Sequence, residues 1–215
     1  MRKAMLIGIA VAAASAGCSE TRAQDGGPSV KRDFEVGSFE RIEVAGPFEV
    51  RVRTGGNPSV SASGPEKVME RLVVEVKGDR LLIHPRRERK MLNFNWGRSG
   101  TVTVDVTAPQ LRGAAIAGSG TISVDKVSGE SFEGSVAGSG DLDLDSLEVE
   151  RLKLSIAGSG ELRARSGRAR NAEYSIAGSG GIEAGGVRSE SAEISIAGSG
   201  SVNGQATGAA DVSIM

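Results

Sequence analysis

The chain has one cysteine, one histidine, one tryptophan and one tyrosine among its 215 residues. Each scarcity removes a class of chemistry. A lone cysteine, Cys18, excludes both a disulfide framework and a cysteine-built metal site. A lone histidine, His84, leaves Ser-His-Asp catalysis and histidine-based metal binding resting on one side chain. It ends the run Leu81-Leu82-Ile83 just before Pro85, a usual place for a half-exposed polar residue. Aromatic residues amount to only 3%, whereas glycine occurs 31 times. That balance suits a repetitive β architecture with many tight turns. With 26 basic and 27 acidic side chains, no global field draws the chain to nucleic acid or to an anionic membrane. No cofactor is implied.

The N-terminus reads as an export signal over residues 1–23. Met1-Arg2-Lys3 is basic, and the apolar run Ala4 to Ala14 is shorter than the roughly 20 residues a membrane-spanning helix needs. Three processing sites compete. The stretch "SAGC" (Ser15 to Cys18) is similar to a bacterial lipobox, which would end a lipoprotein signal at residue 17 and lipidate Cys18. Cleavage after Ala16 or after Ala23 would instead leave Gly17 or Gln24 first. Residues 24–33 are polar with glycine and proline, the composition of a flexible tether.

From Phe34 onward apolar and charged residues alternate. Ile42, Val44, Phe48, Val50 and Val52 fall on one face, the period-two signature of half-buried strands. "GPEKVMERL" (Gly64 to Leu72) is the only helical fragment, with Pro65 suited to its first position. Irregular strands fill the remainder of residues 34–110.

Residues 111–215 repeat every twenty. "AGSG" follows Ile116, Val136, Ile156, Ile176 and Ile196, and six residues after each of these stand Ile122, Leu142, Leu162, Ile182 and Val202. Fixed periods of this length mark solenoids, each unit forming one turn of a coil with rungs about 4.8 Å apart. An all-β fold follows: a β-helix preceded by irregular strands and one short helix. The glycines of the phrase (Gly118, Gly120, Gly138, Gly140, Gly158, Gly160, Gly178, Gly180, Gly198 and Gly200) read as corner residues, free to adopt positive φ. Ser119 and its counterparts can bond to backbone or to one another. The alternative reading of this column is a flat ledge recognising a regular polymer. "ADVSIM" (Ala210 to Met215) repeats "AEISIA" (Ala192 to Ala197) after eighteen residues rather than twenty. The last rung is therefore unfinished, and its edge invites pairing, including with a second copy of the chain.

The opening "FERIEVAGPFEVRV" (Phe39 to Val52), then "VVEVKGDRLLI" (Val73 to Ile83), "VTVDVTAPQLRGAAIAGSG" (Val102 to Gly120) and the GSG corners occur in an order that carries a resemblance. Over residues 34 to 215 the chain resembles the bacterial family "putative auto-transporter adhesin, head GIN domain". The resemblance implies a β-helix-like fold in an envelope protein and brings no catalytic residues.

Two further stretches invite functional readings. Asp141, Asp143 and Asp145 line one face of a strand, as a calcium site or as a solvated outer face. The calcium-binding nonapeptide has a different period and places Asp where Leu142 stands. One rung on, Arg163 and Arg165 occupy the positions of Asp143 and Asp145, so cross-rung charge pairing is expected, with Arg168 and Arg170 adding to it. "RRERKMLNFNWGR" (Arg86 to Arg98) mixes Arg86, Arg87, Arg89 and Arg98 with Phe94 and Trp96, a composition able to stack on sugars or to lie against anionic lipid. Its alternative is a long hairpin loop tucked onto the coil. Three functions are then open. One is a non-catalytic envelope protein, exported to the outer membrane as a lipoprotein or to the periplasm or medium, that presents a surface to envelope proteins or glycans. The second is a carbohydrate-binding module using the Arg86–Arg98 stretch. The third is a glycan-cleaving enzyme using the aspartate row.

Overall fold

A computed structural model describes residues 27–86 and 100–215 of the chain. Within them the chain forms fifteen strands of one sheet, wound into a three-sided coil, and one helical turn.

The sides of the coil follow from the burial pattern of a repeat. In β10 (Asp141–Gly158) the inward residues are Leu142 and Leu144, then Leu147 and Val149, then Leu152, Leu154 and Ile156. Steps of two run along a face, and each step of three, from Leu144 to Leu147 and from Val149 to Leu152, turns a corner. The third corner is the glycine phrase. β9 (Thr121–Gly138) and β13 (Gly181–Gly198) turn the same way, while β11 (Glu161–Ala164) and β12 (Gly167–Gly178) share one rung. Each rung pairs in parallel with the next at an offset of twenty residues.

Stacking puts like over like. Ile116, Val136, Ile156, Ile176 and Ile196 form one inner column, and Ile122, Leu142, Leu162 and Ile182 another, all nearly or wholly buried. Burying one such side chain stabilises by about 1.5–3 kcal/mol, so the column carries the fold although aromatics are few. Sizes compensate between columns. Gly134 makes room for the methyls of Leu142 and Leu154, since a Cβ there would lie 2.9 Å from each. This glycine serves packing, not a turn.

The glycine corners divide their work. Gly118, Gly138, Gly158, Gly178 and Gly198 have φ between 118° and 135°, the region that side-chain-bearing residues avoid. The second glycine of each phrase does not share that conformation. It is small because a Cβ on Gly140 would lie 2.5 Å from the Gly120 carbonyl oxygen and 2.7 Å from Ile116 Cγ2. Expecting positive φ at both positions is thus corrected to one. The serine between them donates its backbone N–H to the first glycine of the rung before, as from Ser139 to Gly118 O at 2.9 Å.

The N-terminal part is threaded out of order. β2 (Arg41–Ala45) and β3 (Phe48–Thr54) form a rung whose corner is Gly46-Pro47, and that rung stacks beneath β8 (Gly113–Gly118) and β9. The next rung outward is later in sequence, made by β6 (Arg80–Pro85) against β2 and β7 (Val102–Ala108) against β3. Beyond it, β4 (Ser59–Pro65) pairs antiparallel with β7, and β5 (Leu72–Lys77) antiparallel with β6. The turn α1 (Glu66–Met69) lies between β4 and β5, with Val68 and Met69 buried. Pro65 ends β4 and caps α1; it is not the first helical residue.

One boundary moves. Residues 29–33, read from composition as part of a tether, join Phe34 in β1 (Ser29–Phe34), antiparallel to β4. Its polarity reflects an edge strand with one half-covered face.

β14 (Ser201–Ala206) and β15 (Ala210–Ile214) form the last rung. The offset of twenty falls by three at one corner and recovers one at the next. Ala184 pairs with Gly204 but Arg188 with Gln205, after which Ala192 pairs with Ala210.

Candidate functional site

The outward positions of the third face build a groove of about 880 Å³, running across the rungs. The same register that stacks the core stacks its lining. Glu133, Lys153, Glu173, Glu193 and Asp211 succeed one another at equivalent positions, flanked by Ser131, Arg151, Asn171 and Ser191. Arg41 and Arg112 close one end. The charge is therefore polarised. Arg41, Arg112, Arg151 and Lys153 surround Glu133 towards the helical cap, and Glu173, Glu193 and Asp211 hold the opposite end.

Ion pairs hold the lining in place. Lys153 Nζ donates to Glu173 Oε1 at 2.5 Å, Arg151 to Glu130 at 2.6 Å and Arg41 to Glu133 at 3.2 Å. The Glu173 carboxylate, aided by Glu133 and Glu193, raises the Lys153 ammonium above its ordinary pKa, and Arg151 lowers that of Glu130. All are solvent-screened. They fix geometry more than they stabilise. Neither this groove nor its residues were anticipated from sequence, although reading the twenty-residue columns at outward positions would have found them.

A second groove, about 690 Å³, crosses β6, β2, β8 and β9. Ala45, Ala115, Ala117, Ala137 and Leu82 give it an apolar floor beside Glu75, Lys77 and His84. His84 is half-buried, as its strand-end position suggested. Its Nε2 lies 3.2 Å from Glu75 Oε1 and its Nδ1 3.0 Å from the Pro85 carbonyl oxygen. Both partners are acceptors, and a neutral ring can donate to only one. Lys77 bonds the same Glu75 oxygen at 2.6 Å. Lys77 first, then His84, holds the Glu75 carboxyl below its ordinary pKa.

The aspartate row is engaged by arginines. Asp143 Oδ1 lies 3.6 Å from both Arg163 Nη1 and Arg165 Nη2, and Asp145 bonds Arg165 at 3.1 Å. Arg163 also bonds Glu161, its neighbour on the strand. Arg170 bridges Glu150 at 3.2 Å and Glu190 at 3.7 Å, and Arg168 approaches Glu148 at 3.9 Å. Cross-rung pairing thus holds Asp145 closely and Asp143 only at longer range, Asp143 Oδ1 having no hydrogen-bond partner among the described residues.

Of the basic and aromatic stretch only Arg86 lies among the described residues; it is exposed, and its N–H bonds the Arg71 carbonyl at 2.7 Å. Arg87, Arg89, Phe94, Trp96 and Arg98 lie outside them, as does Cys18. The strands before and after it, β6 and β7, stack on β2 and β3, which Gly46-Pro47 joins.

Comparison with known proteins adds a family. The model of the family described as "Putative auto-transporter adhesin, head GIN domain" matches residues 38–215. Among solved structures, one described as a putative adhesin from Bacteroides fragilis superposes with a TM-score of 0.78 at 24% identity, covering 87% of this chain and 84% of its own. A protein from Parabacteroides distasonis described as a putative lipid binding protein gives 0.63 at 22% identity, over 89% and 97% of the two chains. A further putative adhesin from Parabacteroides distasonis gives 0.58 at 17%, over 88% and 98%. These likenesses establish the fold. Curated proteins give no match.

Proposed function

The chain belongs to the putative auto-transporter adhesin, head GIN domain family, and from that premise we propose that it is a non-catalytic, exported envelope protein whose solenoid presents the third-face groove to a partner on the cell surface. The observation that carries this reading is the groove itself. It runs over successive rungs, is lined by outward columns held by ion pairs, and is basic towards one end and acidic towards the other. A rigid, polarised trough of that length suits an extended macromolecular ligand better than a small substrate, which calls for an enclosed and largely apolar pocket. Charge patterning of this kind sets orientation and on-rate more than affinity. Two of the structural relatives are described as a putative adhesin and a putative lipid binding protein.

The test is binding of the purified protein to envelope fractions, against a variant with Arg112→Glu, Arg151→Glu and Lys153→Glu. Saturable binding that weakens with salt and falls about tenfold or more in the variant supports the groove. Binding unchanged by the triple reversal removes it. Export and a lipid tether on Cys18 are tested separately by intact mass from the envelope fraction. A mature chain beginning at acylated Cys18 supports the tether, and an unmodified chain beginning at Gly17 or Gln24 replaces it with free release.

A further inference from the structure

The groove across β6, β2, β8 and β9 plays no part in the function proposed above, and it shares no lining residue with the groove that does. Its build suits a small ligand: about 690 Å³, a mostly apolar floor and a few convergent polar groups. Register makes the floor. Ala45 pairs with Ala117 and Ala117 with Ala137, so three methyls follow one another across the rungs, and Ala115 lies beside them. From β6 to β9 the row is about 14 Å long at the usual strand spacing. Its far end, at Ser135 and Ala137, has no charged lining residue. A straight row of methyls complements an extended hydrocarbon chain.

The charged groups gather at the other end. The β5–β6 hairpin sets Lys77 directly opposite Arg80, a pairing of like charges that is unfavourable by itself. Each cation leans to a carboxylate: Lys77 Nζ lies 2.6 Å from Glu75 Oε1, and Arg80 Nη1 lies 2.8 Å from Glu43 Oε1. Those carboxylates are the cross-strand neighbours of Leu82, one on each side. Neither Glu75 Oε2 nor Glu43 Oε2 accepts a hydrogen bond among the described residues. Asp79, in the hairpin turn, is engaged by Arg41 at 3.5 Å. Two adjacent cations thus stand two residues along the strands from two carboxylates. A phosphate shared by Lys77 and Arg80 relieves their repulsion, and an ammonium can donate to both glutamates. A fatty acid would use only the cations and an alkyl amine only the carboxylates.

We propose that this groove binds a single-chain phospholipid with a phosphoethanolamine head. The acyl chain lies along the alanine row, the phosphate between Lys77 and Arg80, and the ammonium between Glu75 and Glu43. The same geometry selects against choline, whose quaternary nitrogen has no N–H to donate to the carboxylates. Because the two grooves have no lining residue in common, either reading can fail while the other stands.

Calorimetric titration tests it on the full chain bearing Cys18→Ser, so that no lipid attached at that residue competes. The probe is lauroyl lysophosphatidylethanolamine below its micelle concentration, and saturable one-to-one binding is expected. Lauroyl lysophosphatidylcholine should bind about tenfold or more weakly, having lost its charge-assisted hydrogen bonds. Glu75→Gln should narrow that preference, and Ala117→Glu, which puts a charge on the floor, should weaken both lipids about tenfold or more. Should a variant misfold by circular dichroism, methyl NMR of the protein without it still decides the matter. The Ala45, Ala117 and Ala137 methyls should shift with added lipid and show contacts to its chain. No saturable binding, equal affinity for the two heads, or shifts confined to other methyls would each overturn the proposal. So would contacts, before lipid is added, from these methyls to residues outside the groove, since the site would then be filled by the chain itself.

Discussion

Tyr174 is wholly buried, stacked between Leu154 and Ile194, and its hydroxyl has no hydrogen-bond partner among the described residues. Its ring reaches across the coil to Gly204, where a Cβ would lie 3.1 Å from Cε2. An orphaned buried hydroxyl costs about 1–3 kcal/mol, whereas the ring's burial is favourable. Tyr174→Phe keeps the ring and removes the orphan, so it should stabilise the protein by about 1 kcal/mol at neutral pH. The effect should grow with alkalinity. Burial raises the phenol pKa from 10.0 to about 12. The folded state thus holds the phenolic proton more tightly than the unfolded chain does. That contribution is complete below pH 10 and is lost as pH rises towards the folded value, by about 1.4 kcal/mol at pH 11. Other titrating groups are common to both proteins and cancel in the difference. Guanidinium unfolding at pH 7 and pH 11, followed by circular dichroism, measures both terms. Because Tyr174 is the only tyrosine, absorbance of the phenolate in the native protein reports its ionisation directly. A Phe variant less stable by 1 kcal/mol or more, or phenolate appearing near pH 10 in folded protein, would refute the orphaned-hydroxyl account.

Gly158→Ala puts a side chain at φ 133° with its Cβ against the Gly138 carbonyl oxygen, and should cost at least about 2 kcal/mol in a melt, while adjacent Ser159→Ala stays within about 0.5. Equal effects at the two positions would show that the corner is governed by something other than backbone geometry. The Glu75 carboxyl should titrate below 4.5 by NMR and move upward in Lys77→Met, whose loss removes the largest cause of the depression. Its contribution to stability is present above pH 4.5 and is lost as pH falls through the depressed folded value. An unmoved Glu75 titration in the variant would leave His84 as the sole influence.

Much of the fold was legible because the repeat is exact in length. A period that never slips from Ile116 to Ile196 forces like residues into register, so inner columns, glycine corners and the Asp143–Arg163 and Asp145–Arg165 pairs could be read by aligning the chain with itself. The residues at each corner are local in sequence, and so is the reason for their smallness. Polar stretches were harder. Residues 29–33 looked like a tether, since composition does not distinguish a solvated linker from an edge strand paired at a distance with Ser59–Pro65.

By itself, then, the sequence determined a stacked β-coil and its inward residues, because twenty-residue periodicity leaves no other way to bury the Ile, Leu and Val columns. Only the tertiary structure decided what depends on non-local threading. The Arg41–Ala45 rung was inserted between two that follow it in sequence, a helical turn closed one end, and a polarised groove was gathered from residues up to 170 positions apart, Arg41 to Asp211. Parallel pairing between distant segments has no local signature, so those contacts appear only once the chain is wound.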